Sequence, residues 1–228
     1  MRASGQIDTG CTASLDECFD TGSSLFYNKM FNFGIEAATE RVRKRIGKAR
    51  LSNEFIVEAT ADLFRRYNKH GVESSRVAWH MISGLPGEKI DDLDELANTL
   101  RELERVMMRR DKVTGFIQIR WQPLFPQPGT PFQWCAPGNN AELWATELKR
   151  KIGKTYALKL SHVGGRRNEK NIRVLSLARS DRGNQNIPEI DLNGSVGELN
   201  LGDSLPWDFI HGQFRRDTLE LAYRKATE

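Results

Sequence analysis

Cysteine is scarce in this chain. The three residues at positions 11, 18 and 135 are odd in number and irregular in spacing, which argues against a disulfide framework. Cys11 and Cys18 stand too far apart for a Cys-x-x-Cys zinc knuckle, and no His or second Cys pair lies near them to complete a metal site. No apolar run is long enough to cross a bilayer. The start, Met1 to Gln6, lacks the apolar core of a signal peptide, so a cytoplasmic location is expected. The four histidines, His70, His80, His162 and His211, are scattered, without HExxH, Gly-x-Ser-x-Gly or a P-loop lysine motif. Hydrolase and metalloenzyme readings therefore have little to stand on. Acidic residues are sparse between Lys149 and Arg182, where much of the net charge of +4 accumulates. Such a cluster can bind a phosphate backbone; a solvated face is the competing reading.

The chain is organised around Arg76 to Glu88, an apolar strand that ends in a Gly-Leu-Pro-Gly-Glu turn. Gly84, Pro86 and Gly87 bring bare backbone to the mouth of a βα unit, and Asp91 and Asp92 place negative charge where a helix dipole favours it. Ligands of parallel α/β folds bind at the carboxyl ends of strands, which makes this turn a candidate binding loop as well as an ordinary connection.

Residues 1–26 read as an irregular lead-in, rich in Gly, Ser, Thr and Asp. Tyr27 to Glu36 is a strand candidate, followed by a basic helix from Arg41 to Ile46 that Gly47 stops. Ser52 sits where an N-cap belongs. The helix behind it has Phe55, Ile56, Ala59, Leu63, Phe64 and Tyr67 as its expected inner face. The helix from Asp91 to about Arg110 carries Leu93, Leu96, Leu100, Leu103 and Met107 at core spacing. Gly115 to Gln122 is a third strand with a proline-rich exit through Trp134. Three strands separated by helices predict an α/β fold with a parallel sheet and right-handed crossovers. Beyond Trp134 the pattern weakens. A helix is expected over 141–152, a strand or buried helix turn over 172–177, a docking point at 205–210 and a closing helix over 218–225.

The three strand endings, in this order, resemble the second half of the radical S-adenosylmethionine (SAM) barrel. Gly34-Ile35-Glu36-Ala37-Ala38-Thr39-Glu40 and the basic helix after it look like that family's fourth strand and helix. Met81-Ile82-Ser83-Gly84-Leu85-Pro86-Gly87-Glu88 is similar to its fifth-strand motif, and Pro123-Leu124-Phe125-Pro126 to Phe132-Gln133-Trp134 to its sixth-strand exit. The Pro-Gly-Thr-Pro-Phe-Gln-Trp exit and Leu205-Pro206-Trp207-Asp208 further resemble a subgroup that usually carries a cobalamin-binding domain upstream.

The resemblance implies a half-barrel of three βα units over residues 27–135, a C-terminal extension over 136–228, and a SAM site at the strand C-termini. Glu36 would lie near the ribose or amino-acid end, and Arg41 or Arg45 would pair with the methionine carboxylate. Ile82, Gly84 and Glu88 would shape the adenine pocket, with Gln122 and Leu124 closing it. Adenine suits flat apolar walls with backbone donors and acceptors, and a carboxylate suits a bidentate arginine. Glu36 as a helix cap, and Arg41 and Arg45 as solvated charges, are the plainer alternatives. His80, on the strand near this pocket, fits either a substrate contact or a structural histidine. Trp79 and Trp121 fit the core, and Cys135 fits a small inert hydrophobe, with a reactive thiol as the alternative.

The chain departs from the family where redox chemistry begins. That chemistry needs a [4Fe–4S] cluster on a Cys-x-x-x-Cys-x-x-Cys loop, which this sequence does not contain. By itself the chain is not expected to cleave SAM. A half-barrel would also leave a bare strand edge and an uncovered inner sheet face. A cluster-bearing partner chain, a fold-back of the terminal segments, or self-association could cover them. Two functions compete: a SAM-binding half of a radical SAM enzyme, and a non-catalytic derivative that uses residues 149–182 on nucleic acid or a large assembly.

Overall fold

Alternation within the strands sets the layers of this protein. In the computed structural model, which describes residues 31–69, 76–108, 115–124, 126, 129–136, 138, 141–155, 158–164, 199–205 and 214–227, one residue set of each central strand is apolar and fully buried. Val77, Trp79 and Met81 of strand β2 (Arg76–Ser83) share a core with Ile117, Ile119 and Trp121 of β3 (Gly115–Pro123). Phe31 and Ile35 of β1 (Phe31–Glu36) extend that core to the sheet edge. Against it pack helices α2 (Asn53–Lys69), α3 (Leu93–Val106) and α4 (Ala141–Ile152). The sheet is parallel throughout, in the order β1-β2-β3-β4, with β4 spanning Leu158–Gly164. A doubly wound sheet reverses its order and carries helices on both faces. Here each crossover advances in one direction, and helices α2, α3 and α4 gather on one face.

The expected helices form with local reasons. Short α1 (Glu40–Arg45) starts at Thr39, whose Oγ1 accepts from the Val42 amide at 3.2 Å. Ser52 caps α2 as anticipated, accepting from Phe55 N at 3.1 Å. The buried face of α2 is rotated from expectation: Val57, Thr60 and Ala61 join Ile56, Leu63, Phe64 and Tyr67, while Phe55 and Ala59 stay half-exposed. All five residues expected in the core of the next helix are buried. That helix does not begin at Asp91. One 3-10 turn, Ile90–Asp92, precedes α3 because the Asp92 carboxylate folds back to accept from the Lys89 amide at 2.8 Å.

Strand β4 lies in the stretch where the sequence pattern weakened, and it carries the sheet past residue 135. Its Leu-Lys-Leu-Ser-His alternation is short and was overshadowed by the surrounding basic residues. The closing helix, α5 (Arg216–Thr227), is longer than expected, and Leu219 packs with Leu205 and Trp134. Residues 27–30, 109–110 and 172–177, and most of the docking point at 205–210, lie outside the described residues.

Gly115 opens β3 where the Phe64 ring closes over the backbone. A Cβ there would meet ring atoms at 2.5–2.7 Å, and Phe64 is 1% exposed, so the ring has nowhere to retreat. Gly115→Ala is expected to cost about 1–3 kcal/mol through overpacking, read as a lowered urea midpoint at unchanged slope.

Candidate binding site at the strand C-termini

The first three strands end side by side, and each exit is shaped by a local departure from regular geometry. At β1 the register slips between Gly34 and Glu36, and Glu36 adopts a left-handed φ of 69°. A non-glycine residue there carries strain of about 1 kcal/mol or more, a feature that clusters at functional positions. Lys48 holds the distortion. Its Nζ lies 2.8 Å from Glu36 Oε1 and 2.8 Å from the Gly34 carbonyl oxygen. The N-terminus of α1 is capped by Thr39, not by Glu36.

At β2 the chain turns through Gly84 and Gly87, with φ of 85° and 71°. Arg41 reaches across from α1 and donates to the Gly87 carbonyl at 3.0 Å and to Asp92 at 2.9 Å. Arg45 lies against Gly87, in the space that a Cβ would need. Both arginines are thus gathered onto the Gly-Leu-Pro-Gly turn.

Glu88 folds back under the same turn, its Oε2 accepting from the Gly84 and Leu85 amides at 3.2 and 3.3 Å. Its stem is partly exposed, but Oε1 is buried without a hydrogen bond of normal geometry. Burial is the main reason its pKa is pushed up to about 8. The Ala38, Leu85 and Gly84 amides pull the other way, and the Asp92 charge adds to the rise.

The exit of β3 is stitched to that of β2. Leu124 N donates to the Ser83 carbonyl at 2.8 Å, and Gly138 N donates to the Leu124 carbonyl at 2.8 Å. Gln122 is exposed at the strand end, whereas Leu124 is buried. Ala37, Val42, Leu85, Leu124 and Cys135 form an apolar cluster at this rim, flanked by Ile46, Ile82, Phe132 and Tyr223 of α5. Cys135 is therefore a buried side chain within packing. At the end of β2, Ser83 Oγ is buried and has no hydrogen-bond partner.

The rim brings together Ile82, Gly84, Glu88 and Leu124, with Arg41 and Arg45 on the outer side of the turn and Glu36 tied to Lys48. The sequence reading missed Lys48 and Ser83, for which nothing in the local pattern signals a role. It also missed a polar set on the second sheet face. There His80 Nε2 lies 3.0 Å from Asn32 Oδ1, Arg120 Nη1 lies 3.5 Å from the same oxygen, and Arg120 Nε donates to Gln118 Oε1 at 2.7 Å. That set had a signal: polar residues alternating within a parallel strand, where both faces are ordinarily apolar. Trp79 and Trp121 are fully buried on the helix side.

A groove of about 560 Å³ opens elsewhere, between α2 and α3. Glu54, Glu58, Glu95 and Glu102 outnumber Arg105 along it, so its walls repel a phosphate or carboxylate ligand. Among the described residues no group of three or more His, Cys, Asp or Glu is placed to hold a metal ion, and no helix is long and apolar enough to cross a membrane. The chain matches no protein-family model, and neither the curated proteins nor the solved structures include one significantly similar to it.

Proposed function

We propose that this chain binds SAM at the strand C-termini as the C-terminal part of a radical SAM enzyme, and acts with a cluster-bearing partner or N-terminal half. One observation carries the reading: the exits of β1, β2 and β3 stand adjacent in chain order along one rim of a parallel sheet. Sequential order with helices on one face is what an arc of a βα barrel requires.

The residues present suit the ligand. Leu85, Leu124 and Ile82 offer apolar walls for adenine, and Ser83 Oγ is a buried polar atom with no hydrogen-bond partner. In this reading Arg41, whose Nη2 is engaged by Asp92 and the Gly87 carbonyl, would exchange the Asp92 contact for the methionine carboxylate. Glu36, held by Lys48 in a strained conformation, would accept from a ribose hydroxyl or the ligand's amino group. The residues do not suit an iron–sulfur cluster, since Cys11, Cys18 and Cys135 have the wrong spacing and the sequence has no Cys-x-x-x-Cys-x-x-Cys loop. With a cluster supplied by the partner, SAM would serve as a source of radical chemistry, and this chain's part would be to hold the ligand and wall the substrate cavity.

Calorimetric titration of the lone chain with SAM tests the reading. Saturable binding is expected, weakened about tenfold in Glu36→Gln, where a charge-assisted hydrogen bond becomes a neutral one. Absence of saturable binding overturns it. Co-expression with a neighbouring reading frame that carries Cys-x-x-x-Cys-x-x-Cys should restore iron–sulfur absorbance to the purified pair.

Nucleic-acid binding through residues 149–182 has less support. In α4, Arg150 is paired with Glu147, and Lys151 with Asp94 at 2.7 Å, while 165–182 lie outside the described residues.

A further inference from the structure

The closing helix, α5, is held by little of its own surface. Leu219 and Ala226 are its buried residues, whereas α3 buries seven, and Phe214 just ahead of α5 and Leu221 within it are exposed. Elements with few buried apolar contacts open locally at low cost, and the segments that move in function come from that class. Yet α5 lies against α1 and against the 3-10 turn Pro131–Trp134, two elements that frame the strand-exit rim.

One side chain makes the connection. Tyr223 packs on two apolar clusters at once: the rim cluster that contains Leu85 and Leu124, and a second cluster of Trp134, Leu205 and Leu219. Its ring meets that of Trp134 at 5.6 Å between centroids and an angle of 59°, within the range that aromatic pairs favour. The start of the helix is pinned separately, by polar contacts. Arg216 donates through Nη2 to the Leu201 carbonyl and to the Asp203 carbonyl at 2.7 Å, and through Nε to Glu220 at 2.9 Å. Leu199 N donates to the Trp134 carbonyl at 2.8 Å, which ties this pinned end to the 3-10 turn.

The rim is closed as it stands. Leu85 and Leu124, the walls offered to a base, are buried, and the half-buried side chains packed against their cluster are Ile46, Ile82, Phe132 and Tyr223. Ile46 caps α1, Ile82 lies within β2 and Phe132 within the 3-10 turn; of the four, Tyr223 is the one carried by a lightly held helix. A flat ligand reaches buried apolar walls only when a cover moves.

We propose that α5 is an inhibitory strap across the strand-exit rim: Tyr223 is its latch, and the rim opens to a flat, nucleoside-like ligand when the latch lifts about the pinned first turn. Control of ligand entry rests on the SAM reading above, whereas opening of the strap is measurable without any ligand.

Cys135 sits within the rim cluster and reports the opening. With Cys11 and Cys18 replaced by serine in the full chain, it is the one cysteine left, and its labelling by a thiol reagent is followed across low urea concentrations. The parent is expected to label through a local opening, at a rate that hardly depends on urea below the unfolding transition. Tyr223→Ala should raise that rate about tenfold. Tyr223→Leu, the milder variant should the alanine disturb folding, should raise it by a smaller factor. Leu221→Ala, on the exposed side of the same helix, should leave it unchanged. Labelling of the parent only with the urea dependence of global unfolding overturns the proposal. So do equal rates in the parent and the Tyr223 variants, or an equal rise in Leu221→Ala. Calorimetry with SAM reads the control of entry: a latch that competes with the ligand predicts binding about threefold or more tighter in Tyr223→Ala. A tyrosine that merely packs the site predicts weaker binding, and equal or weaker binding overturns the strap as a gate. Failure of SAM to bind any of these proteins, alongside faster labelling in Tyr223→Ala, sinks the SAM reading and leaves the strap standing.

Discussion

Arg43→Ala is expected to destabilise the protein by about 3–5 kcal/mol, although Arg43 belongs to a run of basic residues that reads as a surface helix. The side chain is 1% exposed and ties three segments together. Nε donates to the Leu51 carbonyl at 2.7 Å, Nη1 to the Ala37 carbonyl at 2.9 Å, and Nη2 to Asn53 Oδ1. Asn53 is bonded in turn: its amide donates to Glu40 at 2.6 Å, and its Nδ2 donates to Glu95 at 2.8 Å. Burial lowers the Arg43 pKa, while the Glu95 and Glu40 carboxylates oppose that effect and keep the charge supported. Truncation would leave three acceptors without a donor and two carboxylates without their cation. Arg43→Lys should recover only part of the loss, because one ammonium cannot span three acceptors in a plane. Urea midpoints of both variants measure this, and a loss under about 1 kcal/mol for Arg43→Ala would refute the anchoring role. The rim depends on it as well, since Ala37 leaves β1 and Arg43 sets the position of α1.

The second large effect is a pH dependence centred on Glu88. Its pKa, pushed up to about 8 from an ordinary 4.5, means that the folded chain holds this proton more tightly than the unfolded chain does. Between those values the folded state binds more protons, so the contribution of Glu88 to stability falls as pH rises from about 4.5 and levels off above about 8. The full penalty for carrying the charge into the fold is on the order of 3–5 kcal/mol. Glu88→Gln keeps an oxygen for the Gly84 and Leu85 amides and carries no charge at any pH. The variant should match the parent near pH 4.5 and become progressively more stable than it towards pH 9. Parallel stability profiles for the two proteins would show that the carboxyl is solvated. At neutral pH the group is expected to be mostly protonated, so Oε1 or Oε2 can present a hydroxyl donor at the rim.

Much of the layering was legible because it follows from periodicity. Leu93, Leu96, Leu100, Leu103 and Met107 recur at helical spacing and are all buried, and Trp79 and Trp121 alternate into the same core. Ser52 and Gly47 marked the ends of helices for reasons of capping and φ that act over three or four residues. The α2 face was misplaced by part of a turn: Phe55 and Ala59 are apolar but only half-buried, while Val57, Thr60 and Ala61 are buried. Strand β4 was missed because a short alternating run carries little signal until a neighbour, here β3, supplies its hydrogen bonds.

The candidate site divides in the same way. Glycine and proline announced the turn after β2, and the structure puts φ of 85° and 71° there. That Arg41 is spent on Asp92 and the Gly87 carbonyl, while Arg43, two residues on, is buried, could not be read from a run of like charges. Neither could the meeting of Asn32, His80 and Arg120, which stand up to 88 residues apart.

Residue order alone settled much of what is local in this protein: strands β1 to β3 and the helices between them, where the turns need glycine, and the apolar stripes of β2, β3 and α3. Those outcomes depend on φ preferences and on spacings of two to four residues. Tertiary structure alone decided the strand order, the pairing partner of each charge and the polar character of the second sheet face. Such outcomes depend on contacts between residues far apart in the chain, where one guanidinium is solvated and its neighbour is sealed in the core only because of what packs against it.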